Sequence, residues 1–185
     1  ISDVELMQLI ENHCPSVIMN TSNYPIWGLR NALAYLLREK FSFRGAIISA
    51  KDEEISMVEV FSDFCRRSEH ITVDELKQFA KELKTVIYWD SVYSEMVRVN
   101  QNEFVRRDKI HFDVEQTDAV LDNLISKTYA PIKTINLFLH FPTINVPWNK
   151  FVLESYVGSY SKKFRLFHSN YTATDCCGAI VRQDS

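Results

Sequence analysis

The three tryptophans of this chain, Trp27, Trp89 and Trp148, recur at nearly even spacing, 62 and 59 residues apart. Each tryptophan follows a short polar or proline-containing break, and each begins an apolar pattern with helical spacing. Each pattern then runs into a stretch of β-type residues that contains basic side chains. A repeat of about 60 residues predicts one supersecondary unit that is used three times along the chain.

The middle third shows the clearest order of elements. Apolar side chains at helical spacing predict a helix over 53–67, and Thr72 with Glu75 forms the capping box that begins a short second helix. A third helix is predicted from Trp89. Alternating apolar residues on both sides of the turn-like segment 100–102 then predict a β-hairpin.

The first third has a weaker form of the same pattern. A helix is predicted between Ser2, its N-cap, and Pro15, and a second helix over 25–39. The aromatic and β-branched residues over 41–48 predict a strand with Gly45 as a bend.

The last third is similar to the first, because segment 178–181 (Gly-Ala-Ile-Val) resembles segment 45–48 (Gly-Ala-Ile-Ile). Its predicted elements are a helix over 113–126, an apolar segment over 131–141, a helix from Trp148 to 159, a strand over 162–167, a polar turn over 169–175 and a strand over 177–181.

A helix, a short capped helix, a third helix and a hairpin in this order resemble the winged-helix superfamily of helix-turn-helix proteins. The resemblance implies an α+β fold, mainly helical, with tandem winged-helix units over 1–50, 51–112 and 113–185 and small β-hairpin wings. In many members the third helix enters the major groove of duplex DNA and the wing touches the backbone or the minor groove. Other members are structural or bind proteins, so the fold alone does not fix the function.

Charge along the chain is uneven although its net value is only −3. Residues 127–185 hold 7 basic and 3 acidic side chains, a net +4, whereas residues 1–60 carry −3 and residues 61–126 carry −4. A protein that binds duplex DNA needs a local cationic face and not a cationic total. Composition places such a face in the last third.

The candidate DNA-binding residues are the cations on or near the predicted third helices and wings. They are Lys150, Lys162, Lys163, Arg165 and Arg182 in the last unit, Arg106 and Arg107 in the middle unit, and Arg30 and Arg44 in the first. The competing interpretation is a solvated basic edge, which also discourages strand aggregation. In the middle unit Asp90 and Glu95 would repel phosphates, so surface ion pairs are favoured there. The tryptophans are expected to be structural and to fill the corner between helices and hairpin.

No catalytic motif is present, since the chain lacks G-x-S-x-G, a P-loop and G-x-G-x-x-G. The five histidines and four cysteines lack metal-site spacing, so no metal, cofactor or catalytic residue is expected. The cysteine pattern favours reduced thiols in the cytoplasm. No apolar run reaches about 18 residues, so no membrane partner is expected.

These patterns predict a non-catalytic DNA-binding or regulatory module that docks on duplex DNA through the C-terminal helix and wing. Because the chain does not begin with Met, we expect a piece of a longer intracellular protein, with other domains or protein partners. One rival is a protein-interaction array of winged helices without DNA binding, which the pI near 6.0 favours. A second rival is an enzyme domain such as a nuclease accessory, whose scattered carboxylates would leave little sequence signal.

Overall fold

A computed structural model describes residues 3–13, 26–44, 47–51, 56–167 and 176–183. In this part the chain is mixed α/β, with more helix than strand and with small antiparallel sheets. Its α-helices are α1 (Asp3–His13), α2 (Ile26–Leu37), α3 (Met57–Arg66), α4 (Val73–Glu82), α5 (Trp89–Glu95), α6 (Val114–Leu124) and α7 (Lys150–Ser159). Its strands are β1 (Phe41–Arg44), β2 (Ile47–Ala50), β3 (His70–Thr72), β4 (Met96–Arg98), β5 (Glu103–Arg106), β6 (Tyr129–Pro131), β7 (Phe164–Phe167) and β8 (Ala179–Arg182).

The chain forms two compact units, one from 1–56 with 78–86 and the other from 57–77 with 87–185. The first unit contains α1, α2 and an antiparallel hairpin in which Phe41 lies opposite Ala50 and Arg44 opposite Ile47. The single bent strand predicted over 41–48 is therefore two strands that pair with each other. The division into three domains stays a prediction.

The second unit contains two halves with a similar order of elements, except that the second half has 3₁₀ turns where the first half has a helix after its first strand. In the first half, α3, β3, the first five residues of α4, α5, β4 and β5 follow one another, and the sheet order is β3–β5–β4. Residues 78–82 of α4 belong to the first unit. In the second half, α6 and β6 are followed by two single 3₁₀ turns, α7, β7 and β8, and the sheet order is β6–β8–β7. In each half the strand after the first helix pairs with the last strand, which also pairs with the other strand of the hairpin.

Each half has buried apolar side chains. In the first half they include Phe61, Cys65, Ile71, Leu76, Val92, Val97 and Phe104. In the second half one cluster contains Leu121, Ile125, Ile132, Ile135, Phe141, Phe151, Leu153, Tyr156, Val157, Phe164, Cys176 and Ile180. Burial of this apolar area is the main favourable contribution to folding.

Side chains that cap helices fix where three of these elements begin. The capping box is confirmed: Thr72 N donates to Glu75 Oε2 at 2.7 Å, and Glu75 N donates to Thr72 Oγ1 at 3.2 Å. Asp113 accepts from Gln116 N at 2.9 Å at the start of α6. Asn149 accepts from Phe151 N at 2.9 Å at the start of α7.

Two short strands, β3 and β6, are not predicted by the sequence patterns. Strand β3 ends at the residue that caps α4, and β6 occupies 129–131, ahead of and overlapping the apolar segment predicted over 131–141. The rest of that segment contains 3₁₀ turns at Ile132–Thr134 and Phe138–His140. Three residues are too few for alternation to distinguish a strand from a loop. The polar turn predicted over 169–175 lies outside the described residues.

Candidate functional site

Helix α7, the helix expected to read DNA, is buried along most of its length. All seven residues from 151 to 157 are buried. On one side Phe151, Leu153 and Tyr156 belong to the apolar cluster of the second half. On another side, Ser155 Oγ accepts from Arg98 N of β4 at 3.0 Å, in the first half. A helix enters a major groove through an exposed face, and residues 151–157 provide none. DNA docking through the C-terminal helix and wing stays a prediction.

Helix α5 is the corresponding helix of the first half, and it also lacks a basic exposed face. It has seven residues, of which Ser91, Val92 and Tyr93 are buried. Asp90 is exposed, and Glu95 Oε1 accepts from Arg66 Nη2 at 2.7 Å. The contact with Arg66 agrees with the interpretation of this unit's charges as surface ion pairs.

Three of the candidate cations in the second half are held within the fold. Lys163 Nζ lies 2.6 Å from Asp122 Oδ2, and Arg182 pairs with the other oxygen of the same carboxylate. Hydrogen bonds from Lys163 and Arg182 hold the pKa of Asp122 below its usual value, and Asp122 in turn raises the pKa of Lys163. Lys150 is half-buried, with Nζ 5.3 Å from the centre of the Phe151 ring.

The candidate cations of the first half are also committed to local contacts. Arg106 Nε lies 2.7 Å from Asp108 Oδ1, and the Arg106 hydrogen bond holds the pKa of Asp108 below its usual value. Arg107 Nε donates to Tyr160 OH at 3.0 Å, and its Nη1 donates to Ser94 O at 2.8 Å. These arginines join elements of the fold instead of facing solvent alone.

In the other compact unit, Arg30 lies half-buried on α2 and Arg44 is the last residue of β1. The side chain of Arg44 lies outside the described part of the structure.

Four exposed cations around the sheet β6–β8–β7 have no ion pair with a described residue; we call them the cationic surface. They are Lys127, Lys133, Lys162 and Arg165. Sequence reasoning singled out Lys162 and Arg165 but missed Lys127 and Lys133. From 123 to 167 the only carboxylate is that of Glu154, which has no exposed surface. This stretch therefore presents cations to solvent without acids of its own.

The strand register places most of the cationic surface at one end of the sheet. Strands β6 and β7 both run antiparallel to β8, so their first residues lie at the same end. Gln183 N donates to Lys163 O at 2.9 Å, and Arg182 N donates to Thr128 O at 3.3 Å. Lys127 and Lys162 flank this end, while Lys133 follows β6 at the other end.

One side of this sheet, which we call the outer sheet face, lies away from the apolar cluster. Its residues are Tyr129, Pro131, Arg165, Phe167, Ala179 and Val181, which share a face because Tyr129 and Arg165 both lie opposite Val181 while Pro131 and Phe167 both lie opposite Ala179. The alternate residues Phe164, Ile180, Ala130 and Leu166 pack in or against the cluster. Tyr129 is 58% exposed and Phe167 is 49% exposed.

Sequence reasoning found one strand of this face but not the face itself. Arg165 and Phe167 alternate with Phe164 and Leu166, which is visible in the sequence. Tyr129 lies on the three-residue strand β6, and only the pairing with β8 brings it to the same face. The sequence feature that could have indicated this face is the tyrosine two residues after Lys127.

The tryptophans have related but unequal surroundings. Trp89 is the first residue of α5, and its ring centre lies 6.2 Å from that of Phe104 on the hairpin. Trp148 precedes α7 by two residues, packs at 4.8 Å from the Phe141 ring and donates from Nε1 to Pro142 O at 2.7 Å. Trp27 lies on α2, and its side chain is outside the described residues.

The described cysteines differ in exposure. Cys65 and Cys176 are buried and free, and Cys177 is exposed and free. Burial, with the nearby Glu95 carboxylate, raises the pKa of the Cys65 thiol to about 12. Burial and Glu154, whose Oε2 lies 3.5 Å from Cys176 Sγ, also raise the pKa of Cys176.

Across the described residues, no group of three or more His, Cys, Asp or Glu side chains is arranged to hold a metal ion. Nor does any helix there have the length and apolar character needed to span a membrane. No protein-family model, curated protein or solved structure matches the chain.

Proposed function

We propose that the chain is a non-catalytic nucleic-acid-binding module that docks through the cationic surface of its second half. The observation that carries the proposal is that Lys127, Lys133, Lys162 and Arg165 are exposed without an ion pair to any described residue. Cations that face solvent without carboxylate partners are available to phosphates, and binding is favoured by the release of counterions.

The first half provides a contrast within the same unit. There Arg66 pairs with Glu95 and Asp63, and Lys109 pairs with Glu69. Those carboxylates neutralise the cations and would repel a polyanion. Arg67 has no such pair with a described residue, so the contrast with the four cations of the cationic surface is one of number, and it supports the second half as the docking region.

The winged-helix assignment of residues 51–112 and 113–185 is part of the proposal. The order of helix, intervening segment, helix and hairpin in both halves supports it. In the second half, two 3₁₀ turns stand where the plan has its second helix. The wing β7–β8 carries Arg165, with Lys162 just before it, so the wing and not the buried α7 would contact phosphates.

Charge reversal of Lys127, Lys162 and Arg165 to Glu should weaken nucleic-acid binding at least tenfold. It should also reduce the slope of log affinity against log salt by about 2 to 3, because each lost phosphate contact removes a little under one unit. Fluorescence anisotropy with labelled duplex and single-stranded oligonucleotides, across a salt series, measures both quantities.

A matched control reverses three other exposed cations, Arg67, Lys81 and Lys84, which also have no ion pair with a described residue. Both triple variants change the net charge equally. Equal loss in the two would mean that total charge and not the cationic surface drives binding. Absence of binding by the unaltered chain at low salt would rule out the proposal.

A protein-interaction array is the second candidate, because one apolar segment lies open to solvent. Leu139 is 100% exposed and Leu137 is 51% exposed, around the 3₁₀ turn Phe138–His140. Exposed apolar side chains close together are typical of protein interfaces. This function would remain if the chain bound neither form of nucleic acid.

A further inference from the structure

We propose that Asp122 regulates the affinity of the cationic surface for nucleic acid, because its carboxylate competes with backbone phosphates for the ammonium group of Lys163. The inference rests on the proposed function and names a regulator of that same surface. It is carried by an ion-paired carboxylate that lies at the end of the sheet where two exposed lysines are also found.

The ion pairs of Asp122 lie at the same end of the sheet as Lys127 and Lys162. Lys163 immediately precedes β7, and Arg182 is the last residue of β8, which runs antiparallel to β7. Lys162 is the neighbour of Lys163 in the chain, and Arg182 N donates to the carbonyl oxygen of residue 128, next to Lys127. Three lysines and one arginine are therefore gathered at this end of the sheet.

One carboxylate holds two of these four cations. Lys163 Nζ lies 2.6 Å from Asp122 Oδ2, and Arg182 Nη1 donates to Asp122 Oδ1. Each cation uses a separate oxygen, so the departure of Lys163 leaves the bond to Arg182 in place. Phosphate oxygens accept the same charge-assisted hydrogen bonds from lysine and arginine as carboxylate oxygens do, which makes a backbone phosphate a direct competitor of Asp122.

The two cations differ in how firmly the fold holds them. Arg182 Nη2 also donates to Ile125 O at 3.0 Å, and its guanidinium lies 5.3 Å from the centre of the Phe164 ring. Lys163 has a side chain that is 56% exposed, and within the described part of the chain Asp122 is the one acceptor of its ammonium group. We therefore expect Lys163 to be the cation that changes partner.

Transfer of Lys163 from Asp122 to a phosphate should cost the fold little. An exposed ion pair contributes little to stability, and a lysine ammonium on its four-carbon stem reorients readily. The backbone at this position is fixed independently, because Lys162 N and Lys163 N both donate to the buried carboxylate of Asp118. Only the ammonium group of Lys163 has to move.

The charge of Asp122 sets the direction of the effect. Hydrogen bonds from Lys163 and Arg182 hold the pKa of Asp122 below its usual value, so the carboxylate is ionised at neutral pH. In that form it occupies Lys163 and repels phosphate. Removing its charge should strengthen binding and make Lys163 a full phosphate contact.

The test is Asp122→Asn, which keeps the size of the side chain and an oxygen that can accept from Arg182. The probes are a labelled 15-nucleotide oligo-dT and a 15-base-pair DNA duplex, followed by fluorescence anisotropy across a salt series. We expect affinity for both probes to rise about fivefold or more, and the slope of log affinity against log salt to steepen by about 0.7 to 0.9, the contribution of one added phosphate contact. Circular dichroism checks folding, and Asp122→Ser provides a second neutral variant.

The matched control is Glu115→Gln on the same helix, α6, which removes an equal charge from an exposed position. It should change affinity less than about twofold at moderate salt, because exposed charges more than a Debye length from the phosphates are screened. An equal gain in the two variants would mean that total charge is responsible, and would overturn the regulatory role of Asp122.

A second measurement asks whether the gain passes through Lys163. Lys163→Ala should weaken binding only slightly in the unaltered chain, and about fivefold or more when it is combined with Asp122→Asn. Equal losses in the two backgrounds would contradict the proposed competition. Either contrary result leaves the proposed function intact, whereas absence of binding by every variant at low salt would overturn both proposals.

Discussion

At the scale of single residues, Asp118 holds the segment 161–163, which precedes β7 and contains Lys162 of the cationic surface. It is 2% exposed, and its Oδ1 accepts from Tyr156 OH at 2.8 Å and from Ser161 Oγ at 2.7 Å. Its Oδ2 accepts from Lys162 N at 3.0 Å and from Lys163 N at 3.2 Å. Burial and the hydrogen bond to Asp118 raise the pKa of Tyr156. One carboxylate therefore joins α6 and α7 to the start of β7.

Replacing Asp118 with Ala should lower the free energy of unfolding by on the order of 3 kcal/mol, because buried donors would lose their charged acceptor. Urea denaturation followed by circular dichroism measures the change. The control is Asp122→Asn, one helical turn along α6, where the carboxylate is 30% exposed. It should cost less, since partly exposed ion pairs contribute little. Equal costs would show that Asp118 has no special part in stability.

Asp118 was not singled out from the sequence, although the sequence holds a signal for it. The helical spacing of Val114, Asp118, Leu121 and Ile125 puts an acid within the apolar side of the predicted helix 113–126, which is a signal for a buried, bonded carboxylate. Its partners lie 38 to 45 residues away in sequence. No local pattern identifies partners at that separation.

At the scale of elements, α7 shows that packing against a neighbouring element can bury the polar side of a helix, which a sequence pattern assigns to solvent. Glu154 and Ser155 have the polarity of a solvent-facing side, yet both are buried. Ser155 accepts from Arg98 N, and Arg98 in turn places its guanidinium 4.7 Å from the Phe151 ring centre. The first half therefore supplies the partners, and an isolated pattern of α7 cannot reveal them.

Asn149 joins this helix to the first half in two ways that can be separated. Its Oδ1 caps α7, and its Nδ2 donates to Val99 O at 2.7 Å. Asn149→Ala should cost about 1–2 kcal/mol, which is typical of a lost N-cap, and Asn149→Ser should cost less because serine restores the cap acceptor. Thermal melting of both variants measures the difference. Equal losses would place the main contribution in the Val99 contact instead.

Secondary structure was predicted correctly where side chains form hydrogen bonds or apolar patterns with residues near in sequence. It was missed where strands have only three residues. The capping box at Thr72 and the helices from Trp89 and over 113–126 follow from residues near in sequence. Strands β3 and β6 form through pairing with β5 and β8, far along the chain. Lys162 and Arg165 of the cationic surface were among the residues named from sequence. The position of Tyr129 on the outer sheet face became visible only from the pairing of β6 with β8.

At the scale of the whole molecule, the two halves of the second unit have a similar order of elements, although only the first has a helix between its first strand and its last helix, and they share contacts through α7. Helix α7 packs against β4 of the first half and β7 of its own. Arg107 adds a bond to Tyr160, with its guanidinium 4.5 Å from that ring centre. The sequence patterns predicted three repeated units, which stays a prediction, whereas the shared helix depends on contacts between the halves that no local pattern shows. We therefore expect residues 57–77 and 87–185 to unfold together.

The buried cysteines allow this expectation to be tested by thiol labelling. In the folded protein a maleimide should modify Cys177 readily, while Cys65 and Cys176 stay protected by burial and by raised pKa values that disfavour the reactive thiolate. Cys65 reports on the first half and Cys176 on the second. Mass spectrometry of labelled peptides in rising urea should find both modified at the same denaturant concentration. Modification of one cysteine at a clearly lower urea concentration than the other would mean that the halves unfold separately, and would show which half is less stable.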